Sequence, residues 1–442
     1  MANEILTATD ASEFATTMLG RPRNEATGAN QLKEQSGIAI GEGYVLTDSR
    51  FLTPTNGGPA DPADLSVQRG AAIGGAEGPL VTATTIIELA SDDATEIALV
   101  ETSDDAGPAI GLVVYADPNE AAGMFTATGY SRSDDGAAAR AYDFTLGAGA
   151  YETQTLKNRT ATDDVWMFGF DPADQILLTG GAGFYQSLDI DGDGAATDYA
   201  AGLLVGPYVR QSADDFRFAV DPIGDVYAAI AAELERAGVN EDALARMALI
   251  ASSAGGEVNG TFLNEDISGG AAADTLNGLD GDDLLVGGLG DDSLDGGRNL
   301  DTLLGGEGED RLRGRSGADE LDGGEGRDRM FGGGGGDELR GGDGVDRLDG
   351  GGGADVVIGG AGNDIFVFSN NGDDTITDFT LGEDRLHVRR IDAANLSDLT
   401  LTDLAPGQVE VSKDGLSVVL YDGDGVADFT SADFNASDFI FA

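Results

Sequence analysis

The chain has 442 residues, 41% of them hydrophobic, and sets 80 Asp and Glu against 25 Lys and Arg for a net charge of −55. Such a charge disfavours nucleic acid and anionic membrane surfaces as partners and makes multivalent cations the natural counterions. Cysteine is absent, which excludes disulfides, thiolate metal sites and cysteine catalysis.

The length allows two or three domains. The opening M-A-N-E-I-L-T-A-T-D has neither a basic start nor an apolar run, so no cleavable leader is expected. No stretch approaches the ~20 apolar residues needed to cross a bilayer, and no transmembrane segment is expected. Over the first 250 residues, strand-like runs alternate with turns every ten residues or so, which predicts an all-β barrel or sandwich. The candidate strands are Gly37 to Ile40, Tyr44 to Thr47, Glu96 to Val100, Gly111 to Tyr115, Met124 to Tyr130, Gln175 to Thr179 and Ala201 to Val205.

In order and spacing, four of these motifs resemble the chymotrypsin-like serine proteases. S-G-I-A-I-G-E-G-Y-V-L-T-D-S-R-F at Ser36 to Phe51 is similar to the strand that leads to that family's histidine, and T-E-I-A-L-V to its aspartate strand. T-A-T-G-Y-S matches a later strand, and T-G-G-A-G-F-Y at Thr179 to Tyr185 the serine loop. The resemblance implies a double β-barrel, but its catalytic positions fall on Arg50, Glu96 and Ala182. Alanine offers no nucleophile and a guanidinium cannot act as a base. The single histidine, His387, lies far along the chain, so no histidine-dependent triad is available. No catalytic residue is expected, and the domain reads as a degenerate protease. Arg50 and Glu96 would form an ion pair in the dead site, structural or functional.

Just beyond Ala182, D-I-D-G-D-G-A-A-T-D places Asp189, Asp191, Asp193 and Asp198 in one hairpin loop. The alternating aspartates and the glycine resemble the first half of an EF-hand loop, but Ala200 stands where the bidentate glutamate belongs. A compact calcium loop using Asp189, Asp191 and Asp193 and a plain acidic β-turn both fit. Two helices should follow. One is capped by Asp221 with Pro222 in its first turn, carries Val226, Ile230 and Leu234 on one face, and stops at Gly238. The other begins at Asn240 with Leu244, Met247 and Ile250 on one face.

From Gly269 to Val367 the chain repeats every nine residues, eleven times, as G-G-x-G-x-D-x-U-x. The sixth position is always aspartate: Asp274, Asp283, Asp292, Asp301, Asp310, Asp319, Asp328, Asp337, Asp346, Asp355 and Asp364. The eighth is always apolar, from Leu276 to Phe366. Glycine permits tight turns with bare carbonyls, and calcium is a hard cation that takes about 6–8 oxygen ligands, carboxylate or carbonyl. Two nonapeptides should complete one coil of a parallel β-helix, with the eighth residues inward and multiple calcium ions between successive turns. Leu279 and Arg315 replace the second glycine, and Ala272 and Asn299 the fourth, so those turns should hold calcium less well. Without calcium the carboxylates repel and the core is thin, so binding energy becomes folding energy.

The array closely resembles the repeats-in-toxin (RTX) family of secreted calcium-binding proteins. That resemblance implies an array unfolded in calcium-poor cytosol, folding outside the cell, and export by a type I secretion apparatus reading an uncleaved C-terminal signal. D-I-F-V-F at Asp364 to Phe368 and the segment Asp373 to Val388 resemble the family's capping segment, and the final S-D-F-I-F-A its export signal, although an ordinary terminal strand also fits. Val409 to Val411 and Ser417 to Tyr421 read as strands. Asp422, Asp424 and Asp428 make either a further calcium turn or a solvated hairpin.

The expected fold is therefore mostly β: a chymotrypsin-like double β-barrel over residues 1–220, a helical connector over 221–253, a parallel calcium β-roll over 254–368 and a small β cap with the secretion signal over 369–442. Three functions compete. One is a secreted, extracellular calcium-binding protein whose protease-like domain binds or scaffolds an unknown extracellular ligand. The others are an active extracellular hydrolase with an unrecognised carboxylate site, and a calcium-dependent adhesin or cell-surface component.

Overall fold

The computed structural model describes residues 16–21, 33–41, 43–48, 62, 65–68, 80–89, 97–103, 110–121, 123–130, 139–146, 151–154, 163–169, 183–204, 209–212, 215–241, 244–368, 372–389, 393–413, 416–423 and 429–441. The chain divides into two compact units, Met1–Ala248 and Leu249–Ala442.

In the first unit, six strands close into an antiparallel barrel: β1 (Thr16–Arg21), β2 (Lys33–Gly41), β3 (Tyr44–Asp48), β4 (Ser66–Gln68), β5 (Leu80–Glu88) and β6 (Ile97–Thr102). Around the barrel the order is β1-β2-β3-β6-β5-β4, and β4 pairs back onto β1. Val45, Val67, Val81, Ala83, Ala98 and Val100 fill its interior, joined by Leu65. Alternation along the strands puts these side chains on the inner face.

A second set of strands follows: β7 (Gly111–Tyr115), β8 (Gly123–Tyr130), β9 (Ala139–Leu146), β10 (Tyr151–Gln154), β11 (Asp163–Gly169), β12 (Gly183–Leu188), β13 (Thr197–Leu204), β14 (Val209–Ser212) and β15 (Asp215–Pro222). β8 pairs with β9 and β12, β12 with β13, β13 with β15, and β15 with β11 and β14. Trp166 on β11 is buried among this set, its ring 5.8 Å from Phe125 and 6.3 Å from Tyr115. Its indole N–H donates to the Pro118 carbonyl at 2.9 Å, which satisfies the polar handle of a buried tryptophan.

One helix, α1 (Gly224–Ala237), follows β15 and buries Val226, Ile230 and Leu234, the face anticipated from the sequence. Gly238 ends it in the left-handed conformation at φ 70°. Its start differs from expectation. Asp221 and Pro222 close β15, pairing with Leu203 and Gly202, and the helix begins after Ile223 without a side-chain cap. Pro222 is the last residue of that strand, where the pairing with Thr197–Leu204 ends.

The second expected helix is not there: Met247–Ile250 is a strand. Met247, Ala248 and Leu249 are buried in succession, which covers both faces of the segment rather than one stripe. A short apolar run such as M-A-L-I-A fits both periodicities, and burial on two sides decides for the strand.

The second unit is built on the repeats. Parallel strands pair with an offset of eighteen residues, as in Leu276↔Leu294 and Leu285↔Leu303, so two nonapeptides make one coil. One sheet stacks Glu265–Gly270, Leu284–Leu289, Thr302–Gly308, Glu320–Gly326, Glu338–Gly344 and Val356–Gly362. The other, nine-stranded, includes Thr275–Asp280, Ser293–Arg298, Arg311–Ser316, Arg329–Gly334, Arg347–Gly352, Ile365–Phe368 and Arg385–Val388. Between them the eighth-position side chains, Leu276 through Phe366, form a narrow buried core.

Beyond the array, Thr400–Ala405, Gln408–Lys413 and Leu416–Asp422 form an antiparallel meander, and the last of these pairs in parallel with Asp373–Phe379. The chain's end is also a strand: Phe439–Phe441 pairs with Leu386, His387 and Val388 as the last rung of the nine-stranded sheet. Asp424 and Asp428 of the anticipated turn lie outside the described residues, as do Gln175 to Thr179.

Candidate calcium ladders

Each nonapeptide turns at its glycines. At the second position Gly288, Gly306, Gly324 and Gly342 take φ between 94° and 108°. A Cβ on Gly306 would stand 2.1 Å from the Gly288 carbonyl oxygen of the coil before, so only glycine lets the turns stack this closely. Leu279, Asn299 and Arg315 nonetheless adopt φ of 81°, 74° and 76° where the repeat calls for glycine.

The turn delivers the aspartate to the inside. All eleven repeat aspartates are buried, none more than 3% exposed. Their Oδ1 atoms form two ladders of backbone bonds with the eighteen-residue step of the coil. In one, Asp292 Oδ1 accepts the Asp274 N–H at 2.7 Å, Asp310 the Asp292 N–H at 2.7 Å and Asp328 the Asp310 N–H at 2.8 Å. In the other, Asp301 accepts from Asp283 at 3.0 Å, Asp319 from Asp301 at 3.0 Å and Asp337 from Asp319 at 2.9 Å.

The second oxygen of each aspartate is different. Among the described residues, the Oδ2 atoms of all eleven are buried with no hydrogen-bond partner. A buried polar atom without a partner costs roughly 1–3 kcal/mol, more when charged, so eleven in register point to a missing counter-charge. These oxygens converge with bare carbonyls. A Cβ placed on Gly287 would lie 2.5 Å from Asp292 Oδ2 and 2.6 Å from the Gly305 carbonyl oxygen, and Gly323 stands likewise against Asp328 Oδ2 and the Gly341 carbonyl at 2.6 Å each. The result is an all-oxygen cradle of carboxylates and carbonyls, the donor set of a hard divalent cation.

The electrostatics agree. Burial pushes Asp292 and Asp337 up to about 6, and Asp301, Asp328 and Asp364 to about 7. Neighbouring carboxylates of the same ladder add to the rise, and the backbone N–H on Oδ1 offsets only part of it. A cation between the turns removes that penalty by holding the carboxylates in their charged form.

The ladders extend past the repeats at both ends. Glu265, fully buried, holds the place nine residues before Asp274 and donates its N–H to Asp283 Oδ1 at 2.8 Å. Its position in the nine-residue register was the signal for it. Asp374 accepts the Asp355 N–H at 3.3 Å, and Asp384 that of Asp364 at 2.9 Å. Insertions of one residue per step hide both from the period. Asp384 also closes its turn, its Oδ2 accepting the Thr380 N–H at 2.7 Å.

Residues 259–366 match the family model of the RTX calcium-binding nonapeptide repeat, in overlapping blocks at 259–294, 268–303, 295–330, 304–339 and 331–366. The array is an RTX array. RTX repeats bind multiple calcium ions, and the oxygen cradles between these coils suit that cation. No curated protein sequence matches this chain. The crystal structure of the active form of Rv3671c protease from M. tuberculosis is similar to 51% of this chain and 82% of its own, at 15% identity and a TM-score of 0.35. That likeness is too distant to bear on the chemistry of this chain.

Outside the RTX array, the loop between β12 and β13 gathers Asp189, Asp191 and Asp193, with carboxylate oxygens within 4.8 Å of one another, all exposed. Local bonds shape it: the Asp193 N–H donates to Asp191 at 3.1 Å and the Gly194 N–H to Asp189 at 3.0 Å. Asp198 instead accepts from the Ser187 hydroxyl. Arg50, Glu96 and Ala182 lie outside the described residues. No helix among the described residues is long and apolar enough to cross a membrane.

Proposed function

We propose that this is a secreted calcium-binding protein whose RTX array folds on calcium outside the cell, with its N-terminal domain serving as a binding or scaffolding module. The observation that carries the reading is the set of eleven buried aspartates, each with an orphaned Oδ2, eight of which share the space beside a first-position glycine with a carbonyl oxygen of the next coil. Asp274, Asp283, Asp292, Asp301, Asp310, Asp319, Asp328, Asp337, Asp346, Asp355 and Asp364 supply the carboxylates, and first-position glycines supply the carbonyls. Asp189, Asp191 and Asp193 hold a further, weaker ion in their exposed loop. Export runs through a type I secretion apparatus, in keeping with the RTX repeats, and the protein acts extracellularly on a ligand yet to be identified.

The N-terminal domain is a degenerate protease of the chymotrypsin-like type. Support comes from the ordered strand motifs, from the closed six-stranded barrel that β2, β3 and β6 help to build, and from the residues at the catalytic positions. With Ala182 in place of serine and Arg50 in place of histidine, no nucleophile can be activated. The domain boundaries follow as 1–220, 221–253, 254–368 and 369–442, the connector holding a single α-helix among the described residues.

Calcium titration of the whole protein tests the central claim. Circular dichroism should gain β signal cooperatively as calcium is added after chelation. Asp292→Ala, which removes both a rung of the ladder and an ion ligand, should raise the calcium midpoint by about threefold or more. A titration curve unchanged by Asp292→Ala and Asp310→Ala sinks the ligand assignment. A casein zymogram in calcium should stay blank, and clearing would overturn the reading of the N-terminal domain.

A further inference from the structure

The eighteen-residue coil stacks more than aspartates; it also lines up whatever stands on its outer faces. On the nine-stranded sheet, the outward residue after each ladder aspartate forms a column, with Arg311 in register with Arg329 and Arg329 with Arg347. Neighbouring strands lie about 4.8 Å apart, so three arginines leave the sheet in a row at that backbone spacing. Arg311 and Arg329 are exposed and Arg347 is half-buried. Like charges directly opposite one another on adjacent strands repel. A chain with 80 acidic residues has ample means to neutralise them.

It does not do so. Among the described residues neither Arg311 nor Arg329 has a carboxylate partner. Asp295 is engaged with Arg315 and, at 3.8 Å, with Arg313. Arg347 differs from the other two: its guanidinium lies 3.0 Å from His387 Nδ1 and interacts with the Asp349 carboxylate. The next outward column runs from Arg313 to Phe331 to Asp349. It places Phe331, 42% exposed, on the same face beside Arg329. The opposite sheet shows the contrast, for there Arg340 is paired with Glu320 and Glu338.

We propose that this face binds a linear acidic polysaccharide, with Arg311 and Arg329 taking successive carboxylate or sulfate groups and Phe331 stacking on a sugar ring. Guanidinium forks bind such planar and tetrahedral anions in bidentate fashion and are less strongly hydrated than ammonium groups. A regular row of cations matches an extended polymer with regularly spaced anions, and an exposed ring between cations offers the apolar contact a pyranose face provides. The row exists only once the array has folded, so binding requires calcium, whose charge along the two ladders also relieves repulsion of the polymer.

The test uses the full-length protein in millimolar calcium with immobilised heparin as probe, dextran as the uncharged polymer and phosphatidylglycerol vesicles as the alternative anionic surface. Heparin should be bound in a salt-sensitive way and dextran should not. The double variant Arg311→Gln/Arg329→Gln should lose about tenfold in heparin affinity, the loss of two charge-assisted contacts. Phe331→Ala should lose about threefold, and Arg340→Gln on the opposite sheet less than about twofold. Calcium-induced dichroism reports that each variant folds; should the double variant not fold, single Arg329→Gln and Phe331→Ala carry the same expectation. Unchanged heparin affinity in the folded arginine variants overturns the proposal. So does binding to vesicles with none to heparin, or a calcium-dependent dimer by sedimentation that the double variant abolishes.

Discussion

The two units of this chain hold their folds by different means. The N-terminal unit buries large side chains of ordinary variety: Trp166, Phe125, Phe184 and Tyr185 beneath its second set of strands, and a valine-rich interior within its barrel. The RTX array buries one aliphatic residue in every nine and surrounds that thin core with glycine and eleven inward carboxylates. Hydrophobic burial scales with apolar area removed from water, and the array has little of it. Its backbone ladders are complete, but each aspartate that completes them leaves an oxygen orphaned. One unit rests on apolar burial; the other lines its thin core with buried oxygens that suit the calcium ions RTX repeats bind.

The sharpest way to break that contrast is to remove calcium. In chelator, hydrogen exchange should become fast throughout residues 254–368, while amides of the barrel strands Tyr44–Asp48 and Ile97–Thr102 stay protected. The expected effect is complete loss of protection in one unit and almost none in the other. Equal protection of the array with and without calcium would defeat the comparison.

Truncation comes next in size. The final strand, Phe439–Phe441, completes the nine-stranded sheet, Asp438 is buried, and its carboxylate accepts the Asn435 N–H at 2.8 Å. Phe434 packs on Phe439 at 6.0 Å and on Phe379 at 5.9 Å, so the tail is tied to the aromatic cluster at the end of the array. The segment read from sequence as an export signal is thus also structure. Deleting Ser437 to Ala442 should raise the calcium midpoint of the array by about tenfold, besides any effect on export. Normal calcium-driven folding of the truncated chain would show that the strand is dispensable.

Acid offers a third lever, because protons are the other way to quiet the ladders. The folded-state values of Asp301, Asp328 and Asp364 lie at about 7, above the ordinary 3.8 of an unfolded aspartate. A raised folded value means that the folded array binds more protons than the unfolded chain between those limits. Without calcium, stability is therefore greatest below about pH 4 and is lost as pH rises through about 7. Calcium-free protein should show partial β signal near pH 4.5 that disappears by pH 8, and calcium should abolish the dependence above pH 6. The barrel strands should show no matching transition.

These regions also differ in how much of them was legible beforehand. The array's chemistry is local and repeats, so nine residues of pattern fix the turn, the inward aliphatic and the inward carboxylate together. The ladders' ends were not legible: Glu265 breaks the residue type while keeping the register, and Asp374 and Asp384 keep the type while slipping the register. In the N-terminal unit Tyr44–Asp48, Gly111–Tyr115 and Gly123–Tyr130 were visible as apolar runs. Strands such as Ala139–Leu146 and Asp163–Gly169 carry charged or mixed sequences, and their pairing comes from neighbours distant in the chain. Met247–Ile250 failed for the same reason, since burial on both sides is a tertiary fact that no local period records.

The smallest effect tests how finely the array is tuned. Leu279 sits at φ 81° with its side chain 49% exposed, where other repeats have glycine. A left-handed conformation costs a side-chain-bearing residue roughly 1–2 kcal/mol, and exposure on the turn returns little from burial. Replacing it by glycine relieves that strain but adds roughly 0.5–1 kcal/mol of unfolded-state entropy, so Leu279→Gly should stabilise the calcium-loaded array by a net of about 0.5 kcal/mol. The change should appear as a slightly lower calcium midpoint. Arg315→Gly, which relieves the same strain but gives up the Arg315–Asp295 ion pair, should gain less, because an exposed pair contributes about 0.2–1 kcal/mol of its own. A higher midpoint for Leu279→Gly would mean that the leucine contributes contacts outweighing its backbone, and that the array's departures from glycine are supports rather than blemishes.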